Sequence, residues 1–569
     1  MPVAPDPSAS PDRPDSTGRP DPAAKGDGGV LAPLRERTFR TLWSANLLSN
    51  LGWLIQGVGA AWLMTSLTDS SQMVALVQTM TQLPALVFAL LAGAAADIWD
   101  RRTVLIWAQF WMLAVSVLLA LLAMAGMVTP VVLLAFTFAL GAGAAVNGPT
   151  FQSVVRELVR PEMLAAAVTI NAVAFNLARA IGPGLGGGIV AVADAQGAFL
   201  FNALTYVPLT ILLILTRPPK KKKSDLPREK VGSAMVAGMR YVWQSPDIWH
   251  ALGRAILYGF AAPAILALLP LLARDELGVG PIGFGLLLGV FGIGALIGAF
   301  VLHDMRQRFG AEIMVTVMTG VYGGAYLILG LTSSPVAVVA ALFLAGACWL
   351  GAFSTFSIIV QMSAAPWVQA RVLAIHQMGL MGAMALGSWF WGFVADFSSL
   401  SFSLTGAGVA MLVGLLLAPL FRLTTAKAPD LSPARSEAPV AAVSVADGEG
   451  PILNQIEYRV PLAKAPRFAY LMDDLGHVRR RNGAVRWRLF QDVADPEHWI
   501  ETYLLADWIE QRRFHERITA ADMSLEERVL TMHAAKEPPI RRHMIARRAD
   551  ARLALDPAEA DRARPGREK

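Results

Sequence analysis

The feature that most constrains this chain is a series of long apolar stretches between Phe39 and Phe421. About twelve of them reach the roughly 20 residues that a helix needs to cross a bilayer core about 30 Å thick. They lack the alternating polarity of outer-membrane strands, as "VSVLLALLAMAGMV" shows. With 54% hydrophobic and 16% charged residues over 569 positions, the chain is too apolar for an ordinary soluble protein. The sequence predicts an all-α polytopic membrane protein with 12 transmembrane helices.

Basic residues set the expected orientation of these spans. The short loops expected inside carry about fifteen Lys and Arg, whereas the loops expected outside carry Arg274 alone. Because basic loops stay on the cytoplasmic side and the number of spans is even, both termini are expected in the cytoplasm. The net charge of +6 is therefore a topology signal, and no nucleic-acid partner is expected.

Composition divides the chain into seven segments. They are a disordered tail rich in Pro, Asp and Ser (1–33), a first six-helix half (34–216), a cytoplasmic loop (217–246), a second six-helix half (247–425), a linker (426–450), a cytoplasmic domain (451–547) and a second disordered tail (548–569).

The two halves share residues at one constant spacing. The pairs are Gly93 with Gly298, Arg101 with Arg306, Pro161 with Pro366, Gly182 with Gly387 and Gly187 with Gly392. A duplicated six-span unit is the plan of transporters whose halves rock about a central site. We therefore expect a transporter, with the bilayer and a small-molecule substrate as its partners.

The loop between the second and third spans reads "GAAADIWDRRTVL". It resembles the major facilitator signature G-x-L-a-D-r-x-G-r-k-x-x-l, with Asp100 at the second glycine and Ile98 at the first arginine. The matching residues are Gly93, Asp97, Arg101, Arg102 and Leu105. A carboxylate at the negative end of a helix needs a cation or another helix's N-terminus facing it. The resemblance implies that the start of the eleventh span (372–375) faces Asp97 and that Arg101 completes a gating network; a solvated turn with topology charges is the alternative.

The fifth span contains "RAIGPGLGGG", which begins at Arg179. It resembles the antiporter signature G-x3-G-P-x2-G-G, with Ala178 in place of the leading glycine. The matching residues are Gly182, Pro183, Gly186 and Gly187. Small residues let helix backbones approach closely in lipid, and proline frees a carbonyl that lets a helix bend. We expect a tight, kinked helix contact that seals one side of the transporter; a purely structural kink remains open.

Arg179 itself is the most informative polar residue of the spans. A guanidinium within a span costs roughly 2.5–3.5 kcal/mol on insertion scales, so it should face the protein interior or a watery cavity. Three roles for Arg179 are equally open: it binds a substrate anion, it belongs to an ion-coupling element, or it forms a structural contact with Asn176 or Asn147. Arg254 poses the same choice, although it is near enough to a helix end to snorkel.

The fourth span departs from the family pattern. "TFALGAGAA" echoes the signature l-x3-R-x2-q-G-x-g-a-a, but Thr137 stands at the arginine position and Leu140 at the glutamine position. Proton coupling is therefore implied only by the resemblance, with no carrier residue identified. Polar residues that either line the cavity or join helices are Asn50, Gln56, Gln78, Asn147, Asn171, Asn176 and Gln377.

Nucleotide chemistry is not expected. Gly182, Gly184 and Gly187 satisfy G-x-G-x-x-G, but that motif needs a preceding strand within a soluble strand-helix-strand unit. The chain contains no Gly-Lys pair, so no Walker A loop can be written. An ion gradient is the expected energy source.

After the linker the pattern becomes strand, helix, strand, strand, helix, strand, which predicts a small α+β ferredoxin-like domain. Its order resembles antibiotic-biosynthesis monooxygenase domains, which form dimers. "DWIEQRRFHERITAAD" is similar to a segment carried by transmembrane secretion effectors, a major facilitator branch related to the enterobactin exporter. The matching residues are Trp508, Glu510, Arg512, His515, Arg517 and Thr519. The resemblance implies self-association through this domain, and oxygenase chemistry without a cofactor as the alternative.

Metal binding is not expected, because the five tail histidines lack the spacing of a zinc site; they are His477, His498, His515, His533 and His543. The sequence thus predicts a bacterial inner-membrane exporter of amphipathic small molecules, such as a siderophore, another metabolite or a drug, without a cofactor. A membrane-anchored enzyme with its chemistry in the tail is the competing class, and a sensor with an inactive transporter core is a third.

Overall fold

The computed structural model describes residues 31–98, 100–160, 163–215, 231–423, 430–434 and 445–546. Most of the two expected disordered tails, half of the loop expected at 217–246 and much of the linker lie outside these residues. The backbone of Gly93 lies in the described helix Ser71–Ile98, but its surroundings and the side chains of Asp97 and Arg101 are not described, so the expected gating network is not described either.

The described chain is mostly helical, followed by a small sheet. The helices are α1 (Arg37–Leu67), α2 (Ser71–Ile98), α3 (Arg101–Met124), α4 (Pro130–Leu158), α5 (Leu164–Leu215), α6 (Val231–Trp243), α7 (Pro246–Ala261), α8 (Ala264–Leu271), α9 (Pro281–Leu331), α10 (Pro335–Ser363), α11 (Gln369–Phe397), α12 (Leu400–Leu416), α13 (Ala465–Asn482), α14 (Trp508–Arg517) and α15 (Ala520–Leu530). The strands are β1 (Ile452–Arg459), β2 (Arg486–Gln491), β3 (His498–Leu505) and β4 (Ile540–Ile545).

Within these residues, nine helical stretches are long and apolar enough to cross a membrane. Three of the twelve expected spans are not counted separately. Span 197–216 is continuous with its predecessor in α5, span 402–421 contains the shorter α12 of 17 residues, and span 72–96 runs into residues whose side chains are not described.

The two longest elements are each interrupted inside. The backbone of α5 leaves helical angles at Ala193 and Asp194, and that of α9 does so at Gly310, whose φ of +79° favours glycine. Both interruptions fall between spans that the sequence separates. Pro183, by contrast, lies within α5 with no non-helical angle at that position, so the kink expected there is not a break in the helix.

The tail sheet is antiparallel, with strand order β2-β3-β1-β4. Its predicted sequence of strands and helices is found, and α15 is an additional helix before β4. Side chains cap both short helices: Asp507 accepts from the Glu510 amide at 2.8 Å, and Thr519 forms a reciprocal capping box with Asp522. These caps explain why the segment folds as two helices with a sharp boundary.

A buried carboxylate organises the core of the tail domain. Glu501 in β3 is 0% exposed and accepts hydrogen bonds from Tyr458 (3.1 Å), Arg479 (3.1 Å) and Trp487 (3.0 Å). Because a buried charge is stable only when it is paired and hydrogen-bonded, the four side chains depend on one another. They hold α13 against β1, β2 and β3.

We therefore expect Glu501→Ala to destabilise the tail domain by about 3–5 kcal/mol, since it leaves buried donors without their acceptor. Hydrogen exchange of the β3 amides, measured on the full chain in detergent, should accelerate accordingly. Asp495→Ala is the matched control, because Asp495 pairs with Arg459 in an exposed ion pair and should contribute at most about 1 kcal/mol. Equal exchange in the two variants would contradict the role of Glu501.

Candidate functional site

The glycine run of α5 packs directly against α9, which belongs to the other half. A Cβ built on Gly187 would meet the Pro281 carbonyl oxygen at 2.5 Å, and one on Gly285 would meet that of Pro183 at 2.5 Å. Further along the same pair of helices, a Cβ on Gly292 would meet the Arg179 carbonyl oxygen at 2.5 Å. The two backbones are therefore in contact over several turns. We call this contact the glycine seam.

The same run also packs within its own half. A Cβ on Gly182 would lie 3.1 Å from Leu54, and one on Gly186 would lie 3.1 Å from Val58, both in α1. Gly184 and Gly188 have nothing within 4 Å. The motif glycines thus divide into two packing faces, and Gly184 contributes to neither. Three of the five glycines, Gly182, Gly186 and Gly187, therefore allow close approach of neighbouring helices, whereas Gly184 and Gly188 lie beside open space.

Arg179 lies half-buried beside the glycine seam. Its guanidinium carbon is 4.8 Å from the ring centre of Phe175, a cation–π contact. Over the described residues the structure pairs it with no carboxylate, and Asn176 instead donates to the Ala172 carbonyl within α5 at 2.9 Å. The tie to Asn176 or Asn147 is therefore not formed.

A second contact between the halves joins α2 to α11. Thr79 donates to the Ala385 carbonyl at 3.2 Å, and Gly392 makes room for Ala75 near one end. Leu86 approaches Gly382 further along, with 3.2 Å to a built Cβ. The two seams together are the main contacts of one half on the other in the described chain.

Asp396, near the last turn of α11, closes one end of this second seam. Its carboxylate accepts from the Ser71 amide (2.8 Å) and the Ser70 hydroxyl (3.2 Å) at the first turn of α2. A carboxylate is disfavoured at the C-terminus of its own helix and favoured at another helix's N-terminus, so the contact stabilises the joined halves. We call this contact the Asp396 latch. Asp396 was not among the predicted site residues, although it shows the same signal as Asp97, a carboxylate at the negative end of a helix.

Arg274 adds a contact at the same end of the bundle. Its guanidinium donates to the Thr65 carbonyl in the last turn of α1 and pairs with Asp275 at 2.6 Å. A cation at the C-terminal end of a helix satisfies free carbonyls and complements the helix dipole. The cation expected to stand alone in the outer loops therefore joins the second half to the first.

Arg102, in the first turn of α3, makes its contacts within its own half. It donates to the Leu213 carbonyl (2.7 Å) and the Ile214 carbonyl (2.6 Å) at the end of α5. Asp100, which replaces a signature glycine, is the N-cap of α3 and accepts from the Arg102 amide at 3.3 Å. The described contacts of Arg102 are thus those of a helix C-cap and do not cross between the halves.

Several polar residues proposed for the cavity are helix-to-helix contacts. Gln56 is buried, accepts from Ser116 at 3.2 Å and from Asn202, and so joins α1, α3 and α5. Asn147 accepts from Gln109 at 2.7 Å across α3 and α4. These contacts favour the packing alternative that the sequence left open.

The remaining candidates differ in their surroundings. Arg254 is 5% exposed and pairs with Glu312 at 3.1 Å, so it joins α7 to α9 and does not snorkel. The other carboxylate oxygen of Glu312 accepts a hydrogen bond from the Leu423 amide. Asn50 and Asn171 are half-buried, and Gln377 is exposed. The side-chain amide oxygen Oδ1 of Asn171 is buried without a hydrogen bond among the described residues.

Arg512 and His515 lie three residues apart in α14 and contact different partners. Arg512 is exposed and pairs with Asp447 at 2.6 Å. His515 contacts the Gln511 amide nitrogen at 3.2 Å, and burial, followed by the nearby His543, lowers its pKa to about 4. His515 is therefore neutral at pH 7, and Arg512 points to a different partner.

Two helical halves packed face to face through small residues, with charges joining helix ends, make up the membrane part of the fold. Solved structures show the same fold. A bacterial homologue of the human lysosomal transporter Spinster aligns with 68% of this chain and 96% of its own at 15% identity and a TM-score of 0.54. A variant of the nucleoside transporter NupG aligns with 68% and 100% at 12% identity and a TM-score of 0.56.

The chain belongs to the transmembrane secretion effector family, whose model matches residues 28–551. It is 24% identical to the staphyloferrin A transporter of Staphylococcus aureus, over 62% of this chain and 88% of the relative. The enterobactin exporter of Escherichia coli is 26% identical over 56% and 75%, and macrolide efflux protein A of Streptococcus pyogenes 22% over 52% and 73%. This chain is therefore a multi-pass membrane transporter.

The glycine seam generates the first prediction for this site. Gly285→Ala should lower the melting temperature of the purified protein in detergent, because overpacking against the Pro183 carbonyl costs about 1–3 kcal/mol. Gly184→Ala, with open space around it, should stay within about 0.5 kcal/mol of the parent. Equal melting temperatures would mean that the two halves do not touch at Gly285.

The Asp396 latch generates the second. In a Cys348→Ala background, Thr79→Cys places a thiol inside the α2–α11 seam, where Thr79 is 6% exposed. Asp396→Ala removes the charge-assisted contact that holds this end of the seam closed, so a membrane-impermeant maleimide should label the thiol faster. We expect an increase of only about threefold, because solvent screens part of an exposed contact. Ser398→Ala, which removes a hydroxyl bonded within α11, is the control. An unchanged labelling rate in Asp396→Ala would show that the Asp396 latch does not hold the α2–α11 seam closed.

Proposed function

We propose that this chain is a secondary active exporter of amphipathic small molecules that works by alternating access. The observation that carries the proposal is the pair of seams between the halves, with the latch and Arg274 at one end. Backbone contacts made through glycine separate without breaking side-chain interlocks, so such surfaces suit halves that part and rejoin. The relatives named for staphyloferrin A, enterobactin and macrolides support a siderophore, another metabolite or a drug as substrate.

The proposal includes twelve spans in the bacterial inner membrane, with both termini in the cytoplasm. Dividing α5 and α9 at their interruptions, and counting α2 and α12, yields that number. The Asp396 latch then lies on the outer side, and the expected network of Gly93, Asp97, Arg101 and Arg102 lies on the inner side. In this arrangement the glycine seam seals the outer part of the pathway.

Arg179 is proposed as the substrate-facing charge. It lies beside the seam, near the middle of its span, and its described contact is an aromatic ring. A guanidinium that keeps donors available in a low-dielectric site binds a carboxylate or other anionic group strongly. An amphipathic anion would place its charge on Arg179 and its apolar part on the neighbouring helices.

The tail domain is proposed to support transport, with self-association through the sheet face opposite its helices. That face exposes Phe490, Ile540 and Met544. The described partners of Arg512 and His515 differ, Asp447 for the first and Gln511 for the second, and this does not favour the enzyme alternative. If that alternative holds, replacing both should abolish a chemical product while leaving transport unchanged.

The test is cellular retention of siderophores, macrolides and lipophilic cations in a strain depleted of its own exporters. The intact protein should lower retention of one class, and collapsing the proton gradient should abolish the effect. Arg179→Ala should reduce export of that class about tenfold or more, since a charge-assisted contact is worth about 1.5–3 kcal/mol. Arg160→Ala, at an exposed arginine paired with Glu36, is the control. Unchanged retention of every compound with the protein present in the membrane would contradict export of these classes.

A further inference from the structure

Two arginines of the tail domain enclose an aromatic pair of the membrane part. Tyr241 in α6 and Trp367, in the turn between α10 and α11, have ring centres 5.7 Å apart at an interplanar angle of 84°. The Arg481 guanidinium carbon lies 5.7 Å from the Tyr241 ring centre, and that of Arg517 lies 4.4 Å from the Trp367 ring centre. Cation, ring, ring and cation follow one another in a single row, with the two rings in edge-to-face contact, and we call this row the aromatic clamp.

Contacts within the tail domain fix the position of both guanidinium groups that lie on the rings. Arg517 is buried and donates to Glu510 at 2.5 Å and to the Asn482 carbonyl at 2.9 Å, while Arg481 pairs with Asp522. A guanidinium fixed by a carboxylate loses little further freedom when it stacks on a ring. Glu510 and Arg517 belong to the tail segment that resembles the secretion effector family, and the proposed transport function leaves that segment without a role.

Polar contacts surround the clamp on the α6 side. Arg240 donates to the Gly483 carbonyl at 3.3 Å and lies 3.7 Å from Glu510. The Gln244 amide oxygen accepts from Arg480 at 3.2 Å and lies 2.9 Å from the His477 ring nitrogen. An apolar centre with a polar rim is the usual anatomy of a specific interface.

Tyr241 of the aromatic clamp is also hydrogen-bonded to the turn between α10 and α11. The Tyr241 hydroxyl donates to the Ser363 carbonyl at 3.3 Å and accepts from the Ala365 amide at 3.1 Å. A Cβ on Gly238, one turn earlier in α6, would meet Arg371 at 3.1 Å. The tail, α6 and the first turn of α11 are therefore packed as one unit. The family resemblance implies that the partner of Asp97 lies at 372–375, which follows this turn directly in α11.

We propose that the tail domain is a docking module that binds the second half through the aromatic clamp and positions the first turn of α11 for the inner gate. Its partner is this chain's own surface at α6 and the α10–α11 turn. Glu510 and Arg517 are positioning residues for that interface. The gating part of the inference rests on the proposed transport function, whereas the docking part does not.

The docking part is tested by a disulfide in the full chain. In a Cys348→Ala background with a protease site inserted within residues 435–444, Gln244→Cys is combined with His477→Cys. Mild oxidation should cross-link this pair, so that the tail stays attached after cleavage on a non-reducing denaturing gel. Gln244→Cys with Val493→Cys is the control, because Val493 is 98% exposed in the β2–β3 turn. A test pair that cross-links no faster than the control overturns the docking.

The gating part is tested by weakening the clamp. Trp367→Ala should slow the cross-link about tenfold, as expected for loss of a desolvated cation–π contact, and Trp367→Phe should restore most of the rate. Export by the chain without added cysteines should fall in Trp367→Ala and recover in Trp367→Phe, at equal amounts in the membrane. A slow cross-link with undiminished export overturns the gating role. Failure of the parent to export any compound, with an unchanged cross-link, rejects the transport function and leaves the docking intact.

Discussion

The close approach of backbones at the glycine seam is the contact on which the rest of this arrangement depends. In a bilayer, apolar side chains gain nothing by leaving lipid for one another, so helices associate through packing and polar contacts. At Gly187, Gly285 and Gly292 the backbones of α5 and α9 touch with no space for a Cβ. Because the two helices belong to different halves, this contact sets how the halves face each other. The α2–α11 seam can then run alongside it.

Charges at helix ends complete what the seams begin. Asp396 binds the N-terminal turn of α2, Arg274 the C-terminal turn of α1, and Arg102 that of α5. All three follow one rule, the satisfaction of free backbone groups by a side chain of the complementary charge. Two of the contacts join the halves and one lies within a half. The rule therefore serves both to join the two halves and to hold one half together.

The tail domain applies the same chemistry outside the membrane. Its arginines are first fixed by carboxylates, as Arg517 is by Glu510, and then present a flat cation to an aromatic ring. In the segment that resembles the secretion effector family, α14 is capped at Asp507 and the next helix at Thr519. The cation–π contacts connect the tail domain to α6 and to the turn before α11.

Much of this protein was determined by local sequence alone. Apolar length predicts the spans, the interruptions at Asp194 and Gly310 fall between predicted spans, and periodicity predicts the order of the tail's strands and helices. These properties depend on residues close in the chain, and they are therefore readable without a fold. The glycine run was also recognisable as a packing surface.

Only the tertiary structure decided which surfaces meet. Gln56 faces Asn202 in another helix, Arg254 faces Glu312, and Asp396 faces Ser71 across the two halves. Each of these pairs is far apart in sequence, and a polar residue in a span reads the same whether it lines a cavity or bonds to a neighbour. The aromatic clamp is a further case, because nothing near Trp367 in the sequence indicates that Arg517 will cover it. Contacts of this kind depend on how rigid helices and strands pack in three dimensions, and the pattern of residues along the sequence does not contain that information.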